Sequence, residues 1–81
     1  MPKLPAVSGR ETIRALERDG FVFDHQEGSH VTMRHTAGGR SATVPVHGGR
    51  DLPPGTLRSV LRQAGLSVGE FCQLLEGKRR V

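Results

Sequence analysis

Four histidines, His25, His30, His35 and His47, are the groups of this 81-residue chain best suited to exchanging protons near neutral pH. His30 stands apart by its setting. It follows Gly28-Ser29 and heads the alternating run Val31-Thr32-Met33-Arg34, so its backbone is held by a turn on one side and a strand on the other. The chemistry open to such a group is acid–base transfer. Cleavage of RNA needs no more than that: the ribose 2′-hydroxyl loses a proton as it attacks the adjacent phosphate, and the leaving 5′-oxygen gains one.

Other chemistries fit less well. Ser29 beside His30 is not a nucleophilic triad, because adjacent strand residues point to opposite faces and no acid is placed to orient the ring. His25, His30 and His35 are evenly spaced, but strand parity sets His25 and His35 on the apolar side and His30 on the other. A shared metal ion is therefore not expected, and a His30–His47 pair has only Asp24 as a further ligand nearby. Cys72 is the single cysteine, which excludes an internal disulfide and a cysteine-based zinc site. Among Phe71, Leu74 and Leu75 it reads as a buried, inert thiol. No Gly-rich phosphate motif is present, and no cofactor is expected.

The elements that position His30 follow from pattern. Residues 1–7 form an extended lead-in with two prolines. Ser8-Gly9-Arg10-Glu11 is a capping box opening a helix, with Ile13 and Leu16 as its buried stripe and Gly20 as its stop. Arg10, Arg14 and Arg18 recur on one face of that helix, as either a solvated row or a surface for an anionic partner. Residues 21–26 are the first strand, with Phe21 and Phe23 on one face. A three-residue turn, Glu27-Gly28-Ser29, pairs Phe23 with Met33 and His25 with Val31 and keeps the faces unmixed. The third strand, residues 40–47, carries Ala42, Val44 and Val46 inward. A Gly38-Gly39 turn sets Met33 opposite Val44 and Val31 opposite Val46. Pro45 marks it as an edge strand.

That register places His47 directly across from His30 on an open polar face. Thr32, Arg34 and Thr43 share the face, with Asp24 and Gln26 from the first strand. Arg34 or Arg40 would stabilise charge on the phosphate. The loop from His47 to Gly55 leads to a helix with Leu57, Val60, Leu61 and Ala64 inward, closed by Gly65. Ser67 and Glu70 then form a second capping box, and Val68, Phe71, Cys72 and Leu75 face inward on a further short helix. Residues 77–81 are a basic tail. The expected fold is one α+β domain over residues 1–81: an α-β-β-β-α order with a three-stranded antiparallel meander, helices on one face, and the additional C-terminal helix.

Twelve Lys and Arg against eight Asp and Glu leave a net charge of +4, which suits a polyanionic partner. Ten of the twelve are Arg, the side chain that grips phosphate bidentately and stacks on bases. The N-terminal stretch has no long apolar core, so neither a signal peptide nor a membrane anchor is expected there, and the cytoplasm is the expected compartment.

Taken together, several segments resemble the HicA (YcfA-like) toxin family of prokaryotic toxin–antitoxin pairs. They are Ser8-Gly9 before the first helix, Gly20-Phe21, Gly28-Ser29-His30, Val44-Pro45-Val46-His47-Gly48, and the run from Pro54-Gly55-Thr56-Leu57 to Gly65-Leu66-Ser67. The resemblance implies a double-stranded-RNA-binding-domain-like core and a metal-independent mRNA interferase with His30 as its catalytic histidine. It also implies neutralisation by a HicB-type antitoxin, with DNA met only through that partner. Pro53 stands where relatives often carry a basic residue. With the register above, the expected site comprises His30 as the acid–base group and His47 as its assistant, with Ser29, Thr32, Arg34, Arg40 and Thr43 contacting single-stranded RNA. The alternative is a non-catalytic RNA-binding module on the same fold.

Overall fold

A computed structural model describes residues 3–78. The order is α1 (Gly9–Arg18), β1 (Phe21–Glu27), β2 (His30–His35), β3 (Ser41–Pro45), α2 (Pro54–Ala64) and α3 (Val68–Leu75). The three strands form an antiparallel meander in the order β1-β2-β3, so the expected α+β architecture with an additional C-terminal helix is what the chain adopts.

Both capping boxes form. The Ser8 hydroxyl accepts from the Glu11 amide at 3.2 Å and the Ser8 amide donates to Glu11 Oε1 at 3.0 Å; Ser67 and Glu70 repeat the exchange at the start of α3. Hydrogen bonds from the Ser8 backbone and then its side chain lower the Glu11 pKa. Helix α1 turns Thr12, Ala15 and Leu16 inward and leaves Ile13 only half-buried. Thr12 is tolerated in the core because its hydroxyl donates to the Ser8 carbonyl at 2.9 Å. Helix α2 buries Leu57, Val60, Leu61 and Ala64 as its period predicts. In α3 the fully buried positions are Phe71 and Leu74, while Cys72 is only half-buried.

The arginine row on α1 is not uniform. All three are exposed, but Arg18 alone is tied across the helices: it donates to the Leu74 carbonyl at 2.7 Å, a second donor to a C-terminal carbonyl of α3 that also accepts from the Gly77 amide at 3.0 Å. Arg18→Ala is expected to lower stability by about 1 kcal/mol in chemical denaturation, the scale of one partly solvated hydrogen bond.

The sheet departs from expectation in two places. Between β1 and β2, Phe23 does face Met33, but His25 lies opposite Thr32 rather than Val31, and Glu27 pairs with His30. The connection is thus the two-residue turn Gly28-Ser29, and a β-bulge at Asp24 absorbs the leftover residue. Gly28 takes φ +57° while Ser29 stays at negative φ, the arrangement of a turn with glycine in its first central position. A bulge re-aims the side chains beyond it. His25 therefore joins Asp24 on the open face, and Gln26, now opposite Val31, leaves it.

Between β2 and β3 the register is displaced by two residues. Val31 faces Val44, Met33 faces Ala42, and His30 faces Pro45, not His47. The glycines lie in a longer loop, because the His35 amide donates to the Arg40 carbonyl at 2.7 Å and closes four residues between them. Thr36 is drawn away to the α1–β1 corner, where its amide and hydroxyl donate to the Gly20 carbonyl at 3.1 and 3.2 Å. The His35 ring packs edge-on against Phe21, with Nε2 at 2.7 Å from the Asp19 carbonyl.

Phe21, Val31, Met33, Ala42 and Val44 line the inner face of the sheet against α1 and the helical layer. Phe21 is 2 % exposed but Phe23, near the bulge on the outer strand, is 60 % exposed, so the expected pair of ring anchors reduces to one. On the opposite edge, α2 lies alongside β3. There Gln63 Oε1 accepts from the Thr43 amide at 3.0 Å and occupies an edge that would otherwise invite another strand. Pro45 sits in this edge strand, its missing donor on the side away from β2.

Candidate active site

His30 occupies the end of β2 where the sheet, the loop after β3 and the start of α2 converge. Its exposed imidazole makes no hydrogen bond or ion pair with another described residue, in contrast to His25 and His35, whose rings are both engaged. Three clefts share it as a wall. One of about 390 Å³ also contains His47, Arg50, Asp51 and Thr56. A second of about 380 Å³ runs between β3 and α2, past Thr43, Pro45, Thr56, Ser59 and Gln63. A third, of about 270 Å³, lies on the open sheet face with His25, Glu27, Thr32 and Thr43.

Several local features produce this convergence. The chain leaves β3 at Pro45, and Val46 still donates to the Ser29 carbonyl at 2.7 Å, so the strand end stays tied to the turn that carries His30. Residues 47–50 then form a turn, with Arg50 donating its amide to the His47 carbonyl at 3.2 Å. The lead-in pins the far side of this loop: Leu52 donates to Val7 at 2.8 Å, and Ser8 bridges to Asp51. His47 and Arg50 are thereby held on the His30 side without belonging to the sheet.

The amino end of α2 faces the same place. Its N-cap is Pro53, which supplies no side-chain hydrogen bond, and its first turn carries no acid. Gly55 and Thr56 both line clefts walled by His30. A first turn left in this state presents backbone N–H groups and the positive end of the helix dipole, an environment that favours an anion.

The residues expected to contact RNA divide by position. Thr32 and Thr43 lie on the open face near His30, their hydroxyls hydrogen-bonded to each other across the strands at 3.1 Å. Ser29 is in the turn, with its carbonyl committed to Val46. Arg34 lies four residues along β2 from His30, roughly 13 Å at strand rise, with Nε 3.8 Å from Asp24 Oδ1. Arg40 precedes β3 at the opposite end, its side chain against Gly65 at the C-terminus of α2. Neither arginine reaches His30. The cation that shares its cleft is Arg50, which period and parity could not single out because it lies in a loop.

His25 is the other residue missed. Strand parity puts it on the inner face; the bulge carries it to the outer one, into a cleft with His30. Its Nδ1 lies 3.0 Å from Asp24 Oδ2 and its Nε2 3.8 Å from Glu27 Oε1. One signal was present: a Gly28-Ser29 turn and a Phe23–Met33 pair are compatible only if one residue of β1 is extra. Among the described residues, no group of three or more His, Cys, Asp or Glu side chains is arranged to hold a metal ion. No described helix is long and apolar enough to cross a membrane.

The family model described as HicA toxin of bacterial toxin-antitoxin matches residues 9–66. This chain belongs to the HicA toxin family. The match runs from the first residue of α1 to just beyond α2, and so contains the whole sheet, the His30 turn and every residue named above around the three clefts. As a member of that family the chain is a toxin of a toxin–antitoxin system, with an antitoxin as the kind of partner implied. No curated protein matches it.

Proposed function

We propose that this HicA-family chain is a metal-independent RNA endonuclease that cleaves mRNA with His30 as general acid–base, and that a HicB-type antitoxin neutralises it. The observation that carries the reading is the exposed, unengaged His30 at the meeting point of three clefts, beside an uncapped helix start and Arg50. The reaction needs a phosphate held against a proton acceptor. The first turn of α2 and Arg50 attract and orient the phosphate, and Arg50 offsets charge gathering on its oxygens. Neutral His30 removes the 2′-hydroxyl proton, the 2′-oxygen bonds to phosphorus, and the bond to the 5′-oxygen breaks. A protonated imidazole gives that oxygen its proton, and the products are a 2′,3′-cyclic phosphate and a 5′-hydroxyl.

His47 is the partner proposed for the second transfer. It shares the 390 Å³ cleft with His30 and Arg50, although it approaches from the loop and not from the facing strand position. Thr32, Thr43 and the Ser29 turn flank the reacting nucleotide, while Arg34 and Arg40 meet phosphates remote from scission. The substrate is single-stranded RNA in the cytoplasm, DNA being met only through the antitoxin. DNA lacks the attacking hydroxyl and is not cut.

Cleavage of a defined RNA by the purified protein tests this directly. EDTA is expected to leave the rate unchanged, and the 5′ fragment is expected to end in a cyclic phosphate. His47→Ala is expected to slow cleavage by about 10²-fold, the lower range for losing one proton-transfer group, and to remove one limb of the pH–rate profile. An unaltered rate and profile would remove His47 from the mechanism and leave His25 as the imidazole to test next. RNA binding that weakens with salt, with no cleaved product from the unaltered protein, would overturn the enzymatic reading in favour of a binding module.

A further inference from the structure

The two larger clefts beside His30 differ in chemistry although they are nearly equal in size. The loop-side cleft holds His47, Arg50 and Asp51. The cleft between β3 and α2 has no Lys, Arg, Asp or Glu in its lining: beyond His30 and Gly55, at the start of α2, it presents the hydroxyls of Thr43, Thr56 and Ser59, the amide of Gln63, and the apolar surfaces of Pro45 and Val60. A phosphate is drawn to the first kind of surface. A flat, neutral ring system edged with donors and acceptors suits the second.

Gln63 gives that cleft a fixed polarity. Its Oε1 accepts from the Thr43 backbone N–H at 3.0 Å, and a backbone N–H can only donate, so the orientation of the amide is settled. Its Nε2 donates to Ser59 Oγ, one helical turn earlier, at 3.2 Å. An amide oxygen has two acceptor sites and an amide nitrogen two donor hydrogens. One of each is used, and one of each is left at the same end of a side chain held at both atoms. A donor beside an acceptor is the pattern that a glutamine presents to the edge of a base.

We infer that the cleft lined by Thr43, Ser59 and Gln63 is a base-recognition subsite, which receives the nucleobase flanking the phosphate at His30 and sets which RNA positions are cut. This rests on the ribonuclease reading above and adds to it a division of labour: the phosphate on the Arg50 side of His30, the base on the Gln63 side. Bases of single-stranded RNA can splay into such a cleft because no pairing strand holds them. Gln63 then does two jobs, closing the β3 edge and reading a base.

Two measurements on the full chain separate this inference from the reading beneath it. In the first, the fragment ends from a mixed-sequence RNA are sequenced for the unaltered protein, Gln63→Glu and Gln63→Leu, with thermal melting confirming that each variant is folded. The glutamate keeps the acceptor toward Thr43 but loses the donor; the leucine loses both. The unaltered protein is expected to favour certain nucleotides at one position next to the cut. Both variants are expected to change that preference by about tenfold, the effect of one lost bidentate base contact, at that position alone. In the second, His30→Ala protein is titrated with short oligonucleotides of A, C, G or U while the Gln63 side-chain amide and the Thr43 backbone amide are followed by NMR. Selective shifts of these signals by one or two of the four are expected. Cleavage with an unchanged preference in both variants, or Gln63 and Thr43 signals that do not respond to any oligonucleotide, would overturn the subsite. Selective shifts without any cleavage by the unaltered protein would retain the subsite and overturn the nuclease.

Discussion

His30→Ala is expected to abolish growth arrest when the chain is expressed without an antitoxin, and to slow RNA cleavage in vitro by about 10²- to 10⁴-fold, the range for removing a general acid–base. The size follows from position. The side chain stands exposed where three clefts meet, and Gly55 and Thr56 in the first turn of α2 present their positive helix end to the same space. The fold is expected to survive. The imidazole bonds to no described residue, so its removal orphans no buried partner, and a surface change of this kind alters stability by within about 0.5 kcal/mol. Matching melting curves with activity lost would therefore assign the effect to chemistry. Full toxicity from the alanine variant would sink the assignment of His30.

Gly9→Ala is expected to destabilise the domain by about 3 kcal/mol or more, beyond the upper end of ordinary overpacking. Gly9 opens α1, where alanine would normally be the better helix former by up to about 1 kcal/mol. The gain is overwhelmed by a clash: a Cβ there would lie 2.2 Å from the Pro45 carbonyl oxygen and 3.2 Å from the Val46 Cα. Both are backbone atoms of the strand end, tied on the other side to the His30 turn through Val46 and Ser29, so neither can rotate aside. For a domain of this length a loss of about 3 kcal/mol lowers Tm by roughly 12–24 °C. Gly55→Ala is the control, since that glycine also lies in the first turn of a helix but a Cβ there meets nothing within 4 Å. Its melting temperature is expected to hold or rise slightly. A Gly9→Ala protein that melts with the unaltered chain would show that the helix–strand approach is looser than this packing requires. The same contact shows how the start of α1 seats the strand end from which the loop leaves.

Much of the fold was legible because it depends on local, periodic signals. The capping boxes at Ser8 and Ser67, the α2 stripe and the inward Val31, Met33, Ala42 and Val44 all form as their spacing requires. Phe23 kept its partner Met33, but whether a helix would cover it was not a property of the strand. The place of His30, after a turn and at the head of a strand, is likewise visible over a few residues.

Register was the point at which reading by pattern lost its grip. A slip of one residue exchanges the faces of a strand and is opposed by the whole core, but a slip of two leaves every side chain on its own face. Pairing Val31 with Val46 or with Val44 satisfies the same apolar pattern. The balance was settled by contacts distant in sequence, Thr36 to Gly20 and the His35 ring against Phe21 and the Asp19 carbonyl, which lengthened the loop and put Pro45 across from His30. The bulge at Asp24 likewise inserts a single residue that no periodicity marks, and it alone brought His25 to the outer face.

The sequence by itself determined the order of elements, the faces that β2, β3 and α2 bury, the place of His30 at the head of β2, and membership in a toxin family. Those follow from interactions among neighbours along the chain and from a binary inside–outside pattern. Only the tertiary structure decided what surrounds His30: Arg50 in place of Arg34 and Arg40, His47 in the same cleft but not across the strand, and the start of α2 with Gln63 beyond it. A site is assembled from chain segments that meet through the core, and the geometry of that meeting is set by long-range packing to which strand parity and helix period are blind.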